Sequence, residues 1–263
     1  MMNGILRAMT ELSSRKWISR LTGRFAQSRG SRLFIARFAA MYGIRTEEAE
    51  KPIHEYKTLN EFFTRRLKPG SRPLHQSTAA LTSPVDALIT GAGQITEGTI
   101  VNVKGQDYTI GELLNGSPRQ ARYLNGFYMV LYLSPTDYHR IHSPATGRIT
   151  ERVHVPGKVY PVNDIGLRLM RQVLSRNERL ITYIEHEQGE VAVVKVGAMN
   201  VSSIRYTDPQ ANETVRGGEL AYFEFGSTVV LLTEDDTFEP ADSLKVGLKV
   251  RMGERLGDLV KRP

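Results

Sequence analysis

The sequence predicts an α+β protein in which a helical, basic N-terminal region is followed by a β-rich domain with predominantly antiparallel sheets. Two observations lead to this fold class. Up to about residue 70, apolar side chains recur at helical intervals. From Leu81 onward, short runs of β-branched and aromatic residues alternate with turn-forming Gly, Pro and Asp. With 263 residues, of which 40% are hydrophobic, the chain can bury a sizeable core. We therefore divide it into a helical region, residues 1–75, and a β-rich domain, residues 76–263.

The positive charge of the chain is concentrated in its first 45 residues. These contain nine Lys and Arg residues but one acidic residue, Glu11, whereas the whole chain has a net charge of +7. From Ile5 to Phe25, and again from Arg32 to Tyr42, apolar residues occur near helical spacing beside these basic groups. A basic amphipathic helix can lie in an anionic membrane surface. An ordinary surface helix and a nucleic-acid interface are the alternatives, but no recognisable nucleic-acid-binding motif is present. We therefore interpret residues 1–75 as a membrane-associating region.

Local motifs place individual helices and strands. The segment Thr58-Leu59-Asn60-Glu61 has the pattern of a capping box, so a helix is predicted to begin there and to end near Lys68-Pro69-Gly70. Short helices are also predicted near Ile110–Leu114 and Leu167–Leu174. The predicted strands are TIVNVKG, FYMVLYLS, GRITERVHV, RLITYIEH, VAVVKVGAMNV, ELAYFEF and STVVLLTE.

The composition excludes several classes of protein. The chain contains no cysteine, which rules out disulfides, thiolate catalysis and metal sites with Cys ligands, and is typical of a reducing compartment. Its longest apolar runs, such as Phe127 to Leu133, are far shorter than the roughly 20 residues of a membrane-spanning helix. The N-terminus lacks the continuous apolar segment of a signal peptide. With the basic N-terminal region, this predicts peripheral attachment to the cytoplasmic face of the cell membrane.

Three segments carry groups capable of chemistry. They are SPVDALI with Asp86, LSPTDYHRIHSPATG with Asp137, His139 and His142, and FGSTVV with Gly226 and Ser227. Each segment also has a purely structural interpretation. Asp86 could organise a turn, the histidines could form a structural pair or, with Asp137, bind a metal, and Gly226-Ser227 could be a β-bulge. The histidine spacing matches no established metal motif, so no metal is predicted.

Taken together, the three segments favour nucleophilic chemistry. A serine, a histidine and an aspartate in one domain can serve as nucleophile, general base and orienting carboxylate. The carbonyl next to Ser227 is that of Gly226, which no side chain shields and whose backbone tolerates unusual angles. Ser227 is therefore predicted to attack the Gly226 carbonyl and to convert the amide to an ester. The β-rich domain is then the catalytic domain.

These segments resemble those of the phosphatidylserine decarboxylase family, in its self-processing, pyruvoyl-dependent bacterial type. The resemblance runs from about Leu59 to Leu232. The two-histidine block and the Gly-Ser-Thr step are its most specific parts. Further blocks follow in the family's order: VKGQDYTIGELLNG, VPGKVYPVN, NERLITYIE and VKVGAMNVSSI.

The resemblance implies roles for individual residues. Asp86, His142 and Ser227 would form the self-processing triad, in which His142 accepts the Ser227 proton and Asp86 fixes the tautomer of the imidazole. The chain would be cut autocatalytically between Gly226 and Ser227. The products, residues 1–226 and 227–263, would stay together, and Ser227 would become the covalent pyruvoyl group.

The implied reaction is the decarboxylation of phosphatidylserine to phosphatidylethanolamine and CO₂. The substrate amine would form a Schiff base with the pyruvoyl group, which serves as an electron sink for the carbanion. The resemblance implies that His139 then protonates the α-carbon, a task that suits a pKa near physiological pH. Neither pyridoxal phosphate nor a metal would be needed.

The partners implied are an anionic phospholipid membrane surface, the phosphatidylserine substrate and a second copy of the chain, since homodimers are the commonest oligomers. Nucleic acid is not expected. Three other interpretations stay open at this point: a serine hydrolase acting on an external ester or peptide, a non-enzymatic membrane-binding module, and a relative that acts on another lipid or a soluble amino acid.

Overall fold

The computed structural model confirms the α+β fold class. It describes residues 16–103, 106–162, 170–198, 204–224 and 227–261. The first part of the predicted amphipathic segment, residues 1–15, and Gly226 lie outside the described residues. The described helices precede most of the strands, and the described strand pairs of the named sheets are antiparallel.

Short helices make up most of residues 16–42, and further short helices follow along the chain. The α-helices are α1 (Lys16–Gln27), α2 (Ile35–Tyr42), α3 (Leu59–Phe63), α4 (Ile110–Leu113) and α5 (Val173–Arg176). Turns of 3₁₀-helix occur at Arg29–Phe34, Thr46–Glu48, Ile53–Glu55 and Pro118–Tyr123. None of the described helices is long and apolar enough to cross a membrane.

The strands follow from residue 80 onward. The first eight are β1 (Ala80–Thr82), β2 (Ala87–Gln94), β3 (Thr99–Val103), β4 (Gln106–Thr109), β5 (Phe127–Leu133), β6 (Arg140–His142), β7 (Gly147–Val155) and β8 (Arg179–His186). The remaining ones are β9 (Gly189–Gly197), β10 (Ile204–Tyr206), β11 (Glu213–Thr214), β12 (Glu219–Phe223), β13 (Ser227–Thr233), β14 (Phe238–Pro240), β15 (Lys249–Val250) and β16 (Arg255–Leu259). The largest sheet has eight strands in the order β11-β7-β8-β9-β13-β5-β2-β15.

Strand β13 is an interior strand of the large sheet and is buried on both faces. Val229 and Leu231 belong to one core cluster, whereas Val230 and Leu232 belong to another. The alternation of side chains along a strand explains why this stretch is continuously apolar. Full burial of each such side chain contributes about 1.5–3 kcal/mol, so β13 is firmly held between its neighbours β5 and β9.

The two predicted strands on either side of the Gly-Ser step, ELAYFEF and STVVLLTE, belong to different sheets. Strand β12 pairs with β6 and β10 in a small three-stranded sheet, whereas β13 lies in the eight-stranded sheet. The apolar pattern continues across the step because both strands are buried, so the pattern alone conceals the change of sheet. The segment between Phe223 and Ser227 is the connection between the two sheets.

The N-terminal region has a small core of its own. Its buried members are Ile35, Ala39, Ile44, Ala49, Tyr56, Leu59 and Phe62. Helix α3 begins as predicted, since Thr58 Oγ1 accepts a hydrogen bond from the Glu61 amide (3.0 Å). The helix nevertheless ends at Phe63, before the predicted Lys68-Pro69-Gly70 stop. The predicted helix near Leu167–Leu174 is found at Val173–Arg176, and residues 163–169 lie outside the described residues.

Polar contacts fasten this region to the β-rich part of the chain. Asn60 Nδ2 donates a hydrogen bond to the Glu224 carboxylate (3.1 Å), which immediately follows β12. Arg140 Nε donates to the carbonyl of Thr64 (2.9 Å). The helical region therefore packs against the segment that leads to Ser227. The boundary between residues 75 and 76 stays a prediction.

Candidate active site

The backbone of Ser227 is fixed by strand pairing on both sides. Ser227 is the first residue of β13 and lies opposite Leu133 of β5 and Gly197 of β9. Thr228 pairs with Tyr132, and both Tyr132 and Ser134 line a pocket of about 570 Å³. The predicted nucleophile therefore stands where an interior strand begins, beside the cavity that contains Asp86.

Asp86 lies in the wall of this pocket, immediately before β2. Its carboxylate accepts hydrogen bonds from Arg72 Nε (2.9 Å) and Nη2 (2.5 Å) and from the backbone amide of Met252 (2.9 Å). Arg72 Nη2 also donates to Glu48 (2.8 Å). Asp86 is thus the buried acceptor of a bidentate ion pair, and among the described contacts its carboxylate makes no hydrogen bond with His142.

His142 is held by two other groups. Its Nδ1 is 2.7 Å from the carbonyl of Gly217, so this nitrogen carries the proton and donates it to the carbonyl. Its Nε2 is 3.0 Å from the hydroxyl of Tyr138 and accepts a hydrogen bond from it. The tautomer that the sequence analysis attributed to Asp86 is set here by the Gly217 carbonyl. Burial lowers the pKa of His142, while the nearby charges of Glu219 and Asp86 oppose that shift.

Gly217 can present its carbonyl in this way because of its backbone conformation. It has a φ of 81°, in the left-handed region that glycine adopts without strain. A Cβ at this position would approach the Leu74 side chain to 2.6 Å. The Gly217 amide donates to the carbonyl of Ser143 (2.8 Å), which ties the turn to the histidine segment. The sequence analysis did not identify this glycine.

His139 is completely buried, with an exposed fraction of 0%. Its Nδ1 donates to the Asp137 carbonyl (2.8 Å), and its ring lies 4.0 Å from the Phe63 ring, centroid to centroid. Its Nε2 is buried and has no hydrogen-bond partner among the described residues. Burial, together with the charge of Arg65, lowers the pKa of His139 to about 3. The expectation of a pKa near physiological pH is therefore wrong for the chain with serine at position 227, because the sequence could not reveal the burial.

This burial predicts how stability depends on pH. A His whose pKa falls from 6.5 to about 3 on folding binds a proton more readily in the unfolded chain. The contribution of neutral His139 to the free energy of unfolding is therefore intact above pH 6.5 and is lost as the pH falls toward 3. The loss has reached roughly 2 kcal/mol at about pH 5. Urea unfolding of Ser227→Ala protein, with and without His139→Gln, measures it. The His139→Gln protein should lose less free energy of unfolding between pH 7 and 5, and parallel profiles would contradict the assignment.

The structure gives Asp86 and His142 partners that the sequence analysis missed. Arg72 holds Asp86, and Tyr138 contacts His142 and lines the pocket. Tyr138 directly precedes His139 in the two-histidine block of the sequence, which was an available signal. Arg72 had no such signal, because its contact with Asp86 depends on the fold of the N-terminal region. The roles of Asp86, His139, His142 and Ser227 stay predictions.

Comparison with known proteins gives a consistent assignment. The family model described as phosphatidylserine decarboxylase matches residues 59–258. Curated relatives named phosphatidylserine decarboxylase proenzyme include one from Geobacillus sp. (strain WCH70), 42% identical over 98% of this chain and 100% of its own. Relatives from Anoxybacillus flavithermus and Geobacillus kaustophilus are 42% and 44% identical, covering 98% and 96% of their own chains and 100% and 96% of this one. The chain therefore belongs to the phosphatidylserine decarboxylase family.

Proposed function

We propose that this decarboxylase converts phosphatidylserine to phosphatidylethanolamine and CO₂ with a pyruvoyl group that it makes from Ser227. The observation that carries the proposal is the position of Ser227. It opens an interior strand directly after the connection between two sheets, beside a pocket that contains Asp86. The name proenzyme, shared by the curated relatives, supports a precursor that is cut into two chains.

In the proposed processing step, Ser227 Oγ attacks the Gly226 carbonyl carbon, and the peptide nitrogen departs with a proton to leave an ester. Loss of the Ser227 Cα proton then breaks the Cβ–Oγ bond and frees the carboxylate of Gly226. Water hydrolyses the resulting dehydroalanine and releases ammonia. His142 is a suitable base because its Nε2 accepts a hydrogen bond. The Tyr138 hydroxyl can accept the serine proton while it passes its own to Nε2.

Asp86 is proposed to act through its charge and through the loop that it fixes. The carboxylate lies close enough to His142 to favour the imidazolium form. Its bonds to Arg72 and to the Met252 amide keep that charge in place. This role differs from direct orientation of the imidazole, which the Gly217 carbonyl performs.

The residues near Ser227 fit a pyruvoyl group, since His139, whose carbonyl accepts a hydrogen bond from the Phe223 amide (3.1 Å), has a buried Nε2 without a partner among the described residues. When formed, the group supplies a carbonyl that takes up the substrate amine and withdraws electrons from the α-carbon. With Nδ1 donating to the Asp137 carbonyl, Nε2 is a free base. We propose that His139 takes a proton from the substrate ammonium and returns it to the α-carbon once CO₂ has left. The surrounding protein excludes water from this transfer.

Intact mass under denaturing conditions, combined with CO₂ release from phosphatidylserine in detergent micelles, tests the proposal. Two chains, with a blocked N-terminus at position 227, and CO₂ release are expected. A chain that stays whole for days with anionic liposomes, and that reacts with a fluorophosphonate probe, would instead favour the serine hydrolase. Release of CO₂ from free serine but not from the phospholipid would contradict the lipid substrate. Sedimentation of the same sample tests the predicted homodimer.

The described N-terminal region supports attachment to an anionic membrane surface. Several large apolar side chains are exposed there, including Leu33 (85%) and Met41 (66%). Arg24, Arg29, Arg32 and Arg37 are exposed among them, and residues 16–46 contain no acidic residue. Exposed apolar groups interspersed with arginines suit the boundary between headgroups and acyl chains. We propose that this surface brings the pocket to the bilayer without spanning it.

Replacing both Leu33 and Met41 by serine is expected to weaken binding to vesicles that contain phosphatidylserine by about tenfold or more, because each side chain loses its burial in lipid. Vesicle co-sedimentation at several salt concentrations measures this. Val246→Ser, which removes an exposed apolar side chain of the β-rich part, is the matched control and should bind as the unmodified protein does. Point substitutions are preferable to deletion of residues 1–40, because Ile35 and Ala39 belong to the N-terminal core. Undiminished binding of the double variant would contradict the proposed surface.

A further inference from the structure

Arg65 is a buried cation that lines the same pocket as Asp86. It follows helix α3 and has an exposed fraction of only 4%. Within the part of the chain that the structure describes, its Nε has no hydrogen-bond partner, and its one hydrogen bond is a long one from Nη1 to the Phe62 carbonyl (3.4 Å). The guanidinium also lies 5.1 Å from the centre of the Phe62 ring. A buried charge with so few partners is costly unless a counter-charge reaches it.

The acidic groups of the pocket are already engaged by other partners. Asp86 accepts hydrogen bonds from Nε and Nη2 of Arg72, and Glu48 pairs with Arg72 and Arg45. Glu254 accepts a hydrogen bond from the Arg251 amide (3.1 Å). Asp137 accepts from the amide and hydroxyl of Ser134. Among the described residues, Arg65 has no acidic side chain within ion-pair distance. The neighbouring Arg66, by contrast, is exposed and forms an ion pair with Glu219. Within the described part of the chain, Arg65 is therefore a buried guanidinium of this pocket without an acidic partner, which suits an anion that comes from outside the chain.

We propose that Arg65 binds the phosphodiester of the substrate. This inference rests on the proposed function, because it specifies which part of a phospholipid enters the pocket. The substrate offers two anions, a carboxylate and a phosphodiester. Binding the carboxylate to a guanidinium would stabilise the group that must leave as CO₂ and would oppose the reaction. The phosphodiester persists through the reaction, and the planar guanidinium suits its two free oxygens.

The position of Arg65 relative to His139 is consistent with this assignment. The charge of Arg65 lowers the pKa of His139 in the chain as it stands. A phosphodiester beside Arg65 would offset that charge and make the imidazole a better base. A phosphodiester bound at Arg65 would then make it easier for His139 to take up the proton that it is proposed to carry. A molecule without the phosphate would not have this effect.

Calorimetric titration with a short-chain phosphatidylmethanol below its micelle concentration tests the subsite without catalysis. This probe has the phosphodiester but no amine, and a short-chain diacylglycerol serves as its uncharged counterpart. The proteins are the unmodified chain, Arg65→Gln, Arg65→Lys and Lys68→Gln. Lys68 lies three positions away, is exposed, and loses the same charge in its variant. Thermal unfolding of each variant accompanies the titrations.

We expect the unmodified chain and Lys68→Gln to bind the phosphodiester more tightly than the diacylglycerol. Arg65→Gln should lose about tenfold or more of the phosphodiester affinity, with Arg65→Lys between them. If Arg65→Gln does not fold, the comparison of Arg65→Lys with Lys68→Gln decides. Equal affinities for the phosphodiester in the Arg65 and Lys68 variants would overturn the inference. Arg65-dependent binding by a chain that does not decarboxylate phosphatidylserine would support the subsite while the proposed function failed.

Discussion

Replacing Ser227 by alanine is expected to leave the chain whole and to abolish decarboxylation. Alanine has no hydroxyl to attack the preceding carbonyl, and no β-oxygen to eliminate, so neither the cut nor the pyruvoyl group can form. The fold should survive, because the backbone of residue 227 pairs with Leu133 and Gly197 whichever side chain it carries. Intact mass should show a single chain, and CO₂ release should fall to the level of the buffer.

The control for this variant is Ser243→Ala. Ser243 is an exposed serine on the same side of the proposed cut, so its variant should be processed and active. The mass change should appear in the short chain alone, which also confirms the position of the cut. A Ser227→Ala protein that still released CO₂ from phosphatidylserine would remove the basis for a serine-derived prosthetic group.

Removing the carboxylate of Asp86 is expected to be the most destabilising single change at the site. Its ion pair with Arg72 is buried, and Asp86→Ala would leave the guanidinium short of its main partner and the Met252 amide without an acceptor. Breaking one side of a buried ion pair costs about 3–5 kcal/mol. Self-cleavage should slow as well, since His142 loses a nearby negative charge. Urea unfolding in the Ser227→Ala background measures stability on one covalent species.

A double-mutant cycle separates the ion pair from other effects of the substitution. Arg72→Met combined with Asp86→Ala removes both charges, so its cost should be clearly smaller than the sum of the single costs. Arg148 and Glu185 form an exposed ion pair on the large sheet, and Arg148→Met should change stability little. Additive costs for Arg72 and Asp86 would show that their contact contributes nothing specific.

Local sequence patterns predicted the large sheet well. The segments GRITERVHV and RLITYIEH coincide with β7 and β8, and STVVLLTE contains β13. These strands are long and rich in β-branched residues, so a few neighbouring positions determine them. The strand β2, ALITGAGQ, escaped prediction because its glycines weaken the pattern. The change of sheet between β12 and β13 was also missed, because it depends on long-range pairing that no local pattern encodes.

At the candidate site, too, local features were predictable from the sequence and long-range contacts were not. The sequence singled out Asp86, His139 and His142 by residue type and resemblance. It could not show that Asp86 pairs with Arg72, or that the Gly217 carbonyl holds His142. Both contacts join segments far apart in the chain. The burial of His139, and with it the lowered pKa, follows from packing against Phe63 of the helical region. Residue types were therefore predictable, whereas protonation states and partners required the fold.

The position of β13 affects whether the protein could refold after the proposed cleavage. A cut before Ser227 would separate residues 227–263 from the rest, although β13, β15 and β16 each pair with strands of the longer chain. The sequence that folded as one chain would then be present as two separate chains. Denatured mature protein would have to reassemble by collision, against aggregation of the exposed strands. The lifetime of the folded mature protein would then be set by its rate of unfolding, because the two chains would not refold efficiently once they had separated.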